Sequence, residues 1–248
     1  MILTTCAACA APLAHNAPRC VKEYHGVVRC ALGWACWKTY VGRPEADEDR
    51  IDAMTQLGNG LSEDAVDRYA EALAVYEANL ALNRRLGRSE DNDTILVLQT
   101  NIAYALTLLG RDEEAHELER TIYRQRMASR GISNIQTIRA ALNLGVSAMH
   151  LKRFEEARAL AQKTIPVVQR TLGPDHDFTL CFRRNSAEAV YEDPKSTLSD
   201  LRRAETTLKD VYRRTRRVFG SHHPETQICE QNMKRLKAIL AERNSGGA

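Results

Sequence analysis

Three cysteines near the start of the chain have the spacing that metal chemistry asks for. Cys6-x-x-Cys9 offers two thiolates at the separation a zinc knuckle needs, and Cys20 follows after ten intervening residues. A tetrahedral site requires a fourth ligand. His25 is the first choice, with His15 and Cys30 as alternatives. Pro12, Pro18 and the lack of periodicity predict a loop over 6–20. A segment so poor in apolar side chains is expected to order itself around a bound Zn ion if at all.

Elsewhere the residue types argue against catalysis. The chain has no phosphate-cradling glycine loop, no His-Glu-x-x-His pair and no nucleophile elbow. His222-His223 are adjacent at the expected start of a helix, so they point in different directions and suit a turn or cap. His116 and His150 stand singly, and Cys181 and Cys229 on helices are expected in the core, as are Cys30 and Cys36. No enzyme activity is expected.

Asparagine supplies the other chemical signal. Asn59, Asn101, Asn143 and Asn185 recur at intervals of 42 residues. An amide offers donor and acceptor together, so it can satisfy either a neighbouring helix or the backbone of an extended ligand. One turn away on the same helical face lie Val97 and Tyr104 around Asn101, Arg139 and Val146 around Asn143, and Cys181 and Glu188 around Asn185. Asn101, Asn143, Asn185, Arg139, Tyr104, Val146 and Glu188 are therefore the candidate peptide-binding residues. Arg139, Arg183 and Arg184 would make such a surface partly basic and suit an acidic peptide. The equally direct reading is that the amides fix repeat stacking.

These side chains must be positioned by a repeat. Gly87, Gly131, Gly173 and Gly220 recur at similar intervals of 44, 42 and 47 residues, where a helix end favours a residue tolerant of positive φ. Leu98, Ile102, Ala105 and Leu109 trace an apolar helical face, Gly110-Arg111-Asp112 turns the chain, and Leu118, Ile122 and Tyr123 continue on a second helix. The next unit repeats this with Leu142, Leu144 and Met149, a turn at Lys152-Arg153, then Phe154, Ala157, Leu160 and Ile165; Pro166 predicts a kink. Each helix pair is too small to bury its own face, so neighbours must stack into a solenoid. The expected units are 45–87, 92–131, 134–173 and 175–220, with a final helix at 224–243 and a loose tail at 244–248. In the first of them Ser62-Glu63-Asp64-Ala65 replaces the apolar second half of the leading helix.

Composition agrees with this. Of 248 residues 44% are hydrophobic, 27% charged and only 6% aromatic, which fits a helical soluble chain and not a turn-rich β-sandwich. The net charge of +3 is too small to suggest a nucleic-acid surface, and nucleic acid is not the expected partner. Residues 1–43 carry five Lys and Arg against Glu23 alone, with five of the seven cysteines, which sets this head apart from the body. Arg213-Arg214-x-Arg216-Arg217 is the densest basic cluster, and it suits the C-terminal end of a helix before Gly220. No apolar run reaches the 18–20 residues of a membrane span, and Met1–Ala14 lacks the basic start of a signal peptide. The expected compartment is the cytoplasm, with the nucleus as alternative, and the cysteines are expected as thiols or metal ligands.

Leu172-Gly173-Pro174-Asp175-His176 and Phe219-Gly220-Ser221-His222-His223-Pro224, with the turns Gly110-Arg111-Asp112-Glu113-Glu114-Ala115 and Lys152-Arg153-Phe154-Glu155-Glu156-Ala157, resemble the long tetratricopeptide (TPR) repeats of kinesin light chain over about residues 45–243. The resemblance implies an all-α, right-handed superhelix of hairpins whose leading helices line a groove for a peptide or protein segment. The head from Cys6 to Cys20 resembles the first half of a MYND-type zinc finger, and Cys20 to Lys38 resembles the tail of a variant RING (RING-CH) domain, as in algal MYND–RING-CH–TPR proteins. That resemblance implies a truncated zinc-finger remnant on a non-enzymatic scaffold, or, as alternative, a degenerate RING-derived accessory protein of a ubiquitin ligase.

Overall fold

The computed structural model describes residues 18–63 and 66–245, with side chains over 26–63 and 66–244. Among the described residues there are ten α-helices and no strand, so the all-α expectation holds. The chain divides into two compact units, Met1–Leu118 and Glu119–Ala248.

Unit 1 contains α1 (Pro18–Tyr40), α2 (Glu48–Leu61), α3 (Tyr69–Arg85), α4 (Asp93–Leu108) and the first seven residues of α5 (Asp112–Arg130). Of the loop predicted for 6–20, residues 6–17 lie outside the described residues and 18–20 belong to α1, which Pro18 opens; a proline is well suited to a first helical turn, where its missing N–H leaves no bond unmade. Helix α1 belongs to the core of this unit: Cys30, Trp34 and Trp37 pack with Leu57, Leu61, Tyr76, Leu98 and Ile102. Fully burying a side chain such as Leu61 or Leu98 stabilises by about 2 kcal/mol.

Two glycines explain how closely α1 and α2 meet. A Cβ on Gly60 would lie 2.6 Å from Cys30 Cα, and one on Gly33 would lie 2.8 Å from the Gln56 carbonyl oxygen. The apolar-poor stretch 62–65 does not prevent the hairpin: α2 simply stops at Leu61 with Ser62 as its C-cap, and α3 follows. Leu109, read as the last apolar position of its helix, is instead the exposed C-cap of α4.

Unit 2 holds the rest of α5, then α6 (Ile135–His150), α7 (Phe154–Leu172), α8 (Asp177–Tyr191), α9 (Leu198–Phe219) and α10 (Pro224–Ser245). Its core is a series of small clusters along the stack. Ile138, Val168 and Phe182 pack with Leu142 and Leu160; Leu180, Val211 and Cys229 form another; Tyr191, Leu201, Leu208 and Leu236 a third. Helix α7 runs without interruption through Pro166.

Helices α4, α6, α8 and α10 start the same way, whereas the Asp47 cap of α2 accepts from the N–H three residues on, at Arg50. The side chains of Asn92, Asn134, His176 and His223 accept a bond from the backbone N–H two residues on, at Thr94 (2.9 Å), Gln136 (2.9 Å), Phe178 (3.2 Å) and Glu225 (3.3 Å). These caps are 42, 42 and 47 residues apart. His223 also stacks on Phe219, with ring centroids 4.7 Å apart. The longer last interval accommodates Glu192–Ser196 before α9, where Thr197 and Asp200 form a reciprocal capping box.

Candidate functional site

The periodic asparagines sit on the leading helices, as their spacing requires, but their partners differ. In unit 1, Asn59 of α2 and Asn101 of α4 are joined: Asn101 Nδ2 donates to Asn59 Oδ1 at 3.3 Å. The same oxygen accepts from the Tyr76 hydroxyl of α3 at 2.8 Å. This triad ties three helices together, and burial pushes the Tyr76 phenol upward in pKa.

Beside the triad, Tyr104 is 52% and Val97 45% exposed on the same face of α4. An open recess of about 570 Å³ lies among Asn59, Ser62, Tyr76, Asn101 and Tyr104, with the Arg29–Glu63 ion pair (2.6 Å) at its rim.

In unit 2, Asn143 of α6 donates to Glu119 Oε1 of α5 at 3.4 Å. Glu119 is almost fully buried, its Oε2 has no hydrogen-bond partner, and burial pushes its carboxyl up to about 8 although Asn143 and Arg126 pull the other way. A buried acid at this pKa is mostly protonated at neutral pH and can donate as well as accept. Arg139 lies over the Phe178 ring of α8, 5.8 Å from its centroid, and Val146 is exposed one turn beyond Asn143.

On α8, Asn185 is half-buried between Cys181 and Glu188 on the same face. Glu188 accepts from Asn232 of α10 at 3.1 Å. Burial, with Glu225 close by, raises the Cys181 thiol to about 12, so it is held as an unreactive thiol.

The expected basicity of this face is smaller than the sequence suggests. Arg183 turns to α9 and binds Asp210 at 2.8 Å, while Arg184 pairs with Glu225 at 3.5 Å. Arg139 is left as the exposed cation among the three. The Arg213–Arg217 cluster is likewise drawn into ion pairs: Arg213 and Arg214 bind Asp210, and Arg214 and Arg217 bind Asp175. Burial works against ionisation of Asp210, yet its bonds from Arg183, Arg213 and Arg214 hold it well below the usual carboxylate range.

Of the candidate zinc ligands, Cys6 and Cys9 lie outside the described residues. Cys20 and His25 both fall in α1, five residues apart, which is about 140° of turn around the helix axis. The alternative Cys30 is buried in the core. Among the described residues no group of three or more His, Cys, Asp or Glu side chains is placed to hold a metal, and no helix is long and apolar enough to cross a membrane.

Sequence reasoning missed the polar seam of α5. His116, Glu119 and Arg126 are all buried, at helical spacings of three and seven. It also missed Asn79 and Asn83 of α3; Asn79 Nδ2 donates to the Ile51 carbonyl and the Thr55 hydroxyl, both at 3.0 Å. The only available signal was spacing, since acidic and amide residues on a helix usually face water.

Comparison with known proteins agrees with this geometry. Residues 136–193 match the tetratricopeptide repeat model. No curated protein sequence matches the chain. Among solved structures, a kinesin-light-chain-like protein of Podosopora anserina with nearly identical TPR-like repeats superposes with a TM-score of 0.64 at 17% identity, covering 82% of this chain and 91% of that one. BtubC (BKLC) from P. vanneervenii gives 0.59 at 14% identity, covering 92% and 93%. A Rap protein complexed with Competence and Sporulation Factor gives 0.51 at 16%, covering 90% of this chain and 63% of that one. The helix pairs, their caps and these likenesses together establish the fold as a TPR-type helical repeat.

Proposed function

We propose that this chain is a non-enzymatic scaffold whose units each bind an extended peptide or protein segment on the faces of their leading helices. The observation that carries the reading is the pattern of exposure on α4 and α6. Val97 and Tyr104 flank Asn101, and Arg139 and Val146 flank Asn143, at the same helical offsets of minus four and plus three. A folded chain gains nothing by leaving Tyr104 and Val146 in water, whereas a ligand covering them would remove apolar area at about 25 cal/mol per Å². The amides between them supply bonds that ignore the ligand's side chains. The structure of the Rap protein with its bound factor supports the idea that this fold can hold such a ligand.

Asn101 and Asn143 serve partly as stacking bonds, so the exposed neighbours are the better probes. A random dodecamer library displayed on phage and panned on the purified protein should yield peptides whose affinity is read by fluorescence anisotropy. Tyr104→Ala and Val146→Asp should each weaken the peptides selected on their own unit at least tenfold, with unchanged melting temperature. Selected peptides that bind both variants as tightly as the parent would overturn the reading.

A further inference from the structure

Among the described residues, unit 1 alone joins two of the periodic asparagines to each other. Asn143 donates to Glu119 instead, and Asn185 is half-buried on α8. Within the Asn59–Asn101 pair some polar atoms are used and others are left over. Asn59 Oδ1 accepts twice, from the Tyr76 hydroxyl at 2.8 Å and from Asn101 Nδ2 at 3.3 Å. Asn59 Nδ2 and Asn101 Oδ1 have no partner among the described residues, and neither atom is enclosed. Two touching amides therefore present one spare donor and one spare acceptor where both residues line the recess of unit 1.

The rest of that recess adds no net charge among its described residues. Arg29 and Glu63 neutralise each other at 2.6 Å. The Ser62 hydroxyl donates back to the Asn59 carbonyl at 3.0 Å, and the Tyr76 hydroxyl is already given to Asn59. Tyr104 contributes exposed ring surface one turn beyond Asn101. The opening of about 570 Å³ is ample for a side chain, so a ligand enters without moving a helix.

The spare atoms discriminate among side chains. A carboxamide supplies an oxygen for Asn59 Nδ2 and an N–H for Asn101 Oδ1, so both are matched. A carboxylate has no donor for Asn101 Oδ1 and brings its charge beside Glu63, while Arg29, the cation that would hold it, is engaged. An ammonium has no acceptor for Asn59 Nδ2, and an apolar side chain meets neither atom. Glutamine carries one methylene more than asparagine to lay against the Tyr104 ring.

We propose that the recess of unit 1 is a specificity pocket for a glutamine side chain of the bound peptide, its carboxamide bridging Asn59 and Asn101. The inference rests on the peptide-binding reading above and adds the side chain that unit 1 selects.

The test uses the full chain labelled with nitrogen-15 and four small probes, the N-acetyl amides of glutamine, glutamate, lysine and leucine. All four share the same backbone amides, so differences among them report the side chain. The glutamine probe should shift the side-chain amide resonances of Asn59 and Asn101 and saturate with a Kd of about 1–10 mM, the range open to a ligand of this size. The other three should bind about fivefold more weakly, the effect of one unmet hydrogen bond. Asn59→Asp keeps an oxygen for Tyr76 and Asn101 but replaces the spare donor by an acceptor. It should shift the preference from glutamine towards lysine by about tenfold, with an unchanged melting temperature. Equal binding of the four probes by the parent, shifts confined to residues remote from Asn59 and Asn101, or a glutamine preference that survives Asn59→Asp would overturn the assignment. Phage-selected peptides that stay sensitive to Tyr104→Ala but carry no excess of glutamine would sink this inference alone and leave the scaffold reading standing.

Discussion

The two units use the same hairpin but hold it together by different means. Unit 1 brings backbones close: Gly33 and Gly60 let α1 sit against α2 with no room for a methyl group. Unit 2 has no such contact at its leading helix α6, where a Cβ on Gly145 would meet only Leu160 Cδ2 at 3.9 Å. Both units carry ion pairs, but those of unit 1 leave at least one partner exposed, whereas several in unit 2 have both partners largely covered. Asp175 and Asp210 collect Arg183, Arg213, Arg214 and Arg217, and Arg158 binds the buried Asp193 at 2.9 Å. Close backbone packing is intolerant of added volume, whereas ion pairs tolerate volume but respond to pH and salt. The contrast makes the units separately breakable.

The largest effect is expected at Gly60. A methyl group there meets Cys30 Cα at 2.6 Å and the Arg29 carbonyl oxygen at 2.8 Å, and a backbone cannot rotate aside. Gly60→Ala should cost about 3 kcal/mol or more, because α1 must withdraw and expose Trp34 and Trp37. Gly145→Ala should do the reverse and gain up to about 1 kcal/mol, the ordinary benefit of removing a glycine from a helix. Calorimetric melting of the two variants checks both; equal and small shifts would show that the difference in packing between the units is not real.

How much of this was legible in the sequence depends on whether a residue's role is set by its own repeat or by its neighbour's. The 42-residue period, the helix pairs and the closing glycines could be read directly, because amphipathic spacing and positive φ at Gly131 and Gly173 are local requirements. The capping series was hidden by its change from Asn92 and Asn134 to His176 and His223; an acceptor atom two residues before an N–H is what matters, and a neutral ring nitrogen serves as well as an amide oxygen. The fate of each periodic asparagine could not be read, since Asn101 meets Asn59 while Asn143 meets Glu119, and the partner lies on another helix. The Arg213–Arg217 cluster does sit at the C-terminal end of α9, as its sequence suggests; that Asp175, some forty residues earlier, neutralises part of it could not be read, for the same reason.

The charge-dependent unit should also show itself in pH. Glu119 is protonated in the folded chain up to about pH 8, whereas in the unfolded chain it ionises near its ordinary 4.5. Between these values the folded state holds the extra proton, so this contribution is complete below pH 4.5 and is lost as pH rises towards 8. The ceiling is about 1.4 kcal/mol per pH unit. The opposing pull of Asn143 and Arg126 is already contained in the folded value of about 8, so a fall of up to about 4 kcal/mol across pH 5–8 is expected. Glu119→Gln keeps an oxygen for the Asn143 donor and should abolish this slope. Urea titrations at intervals of one pH unit measure it, and an unchanged slope in the variant would assign the effect to another group.

The smallest effect separates two equivalent turns. Unit 1 turns from α4 to α5 through Gly110 at φ 73°, and unit 2 turns from α6 to α7 forty-two residues later through Lys152 at φ 57°. A side chain in the left-handed region costs about 1–2 kcal/mol, which glycine avoids. Glycine also loses more freedom on folding, which returns part of that gain. Lys152→Gly should therefore stabilise by somewhat less than 1 kcal/mol, or about 2–3 °C in melting temperature for a chain of this size. Gly110→Lys should destabilise by a similar amount, since no neighbour lies within 4 Å to obstruct the side chain and conformational strain is the one cost. If both substitutions moved the melting point in the same direction, the turns would not be equivalent, and the difference would have to come from the charge of Lys152 beside Glu155, Glu156 and Glu192 around its recess.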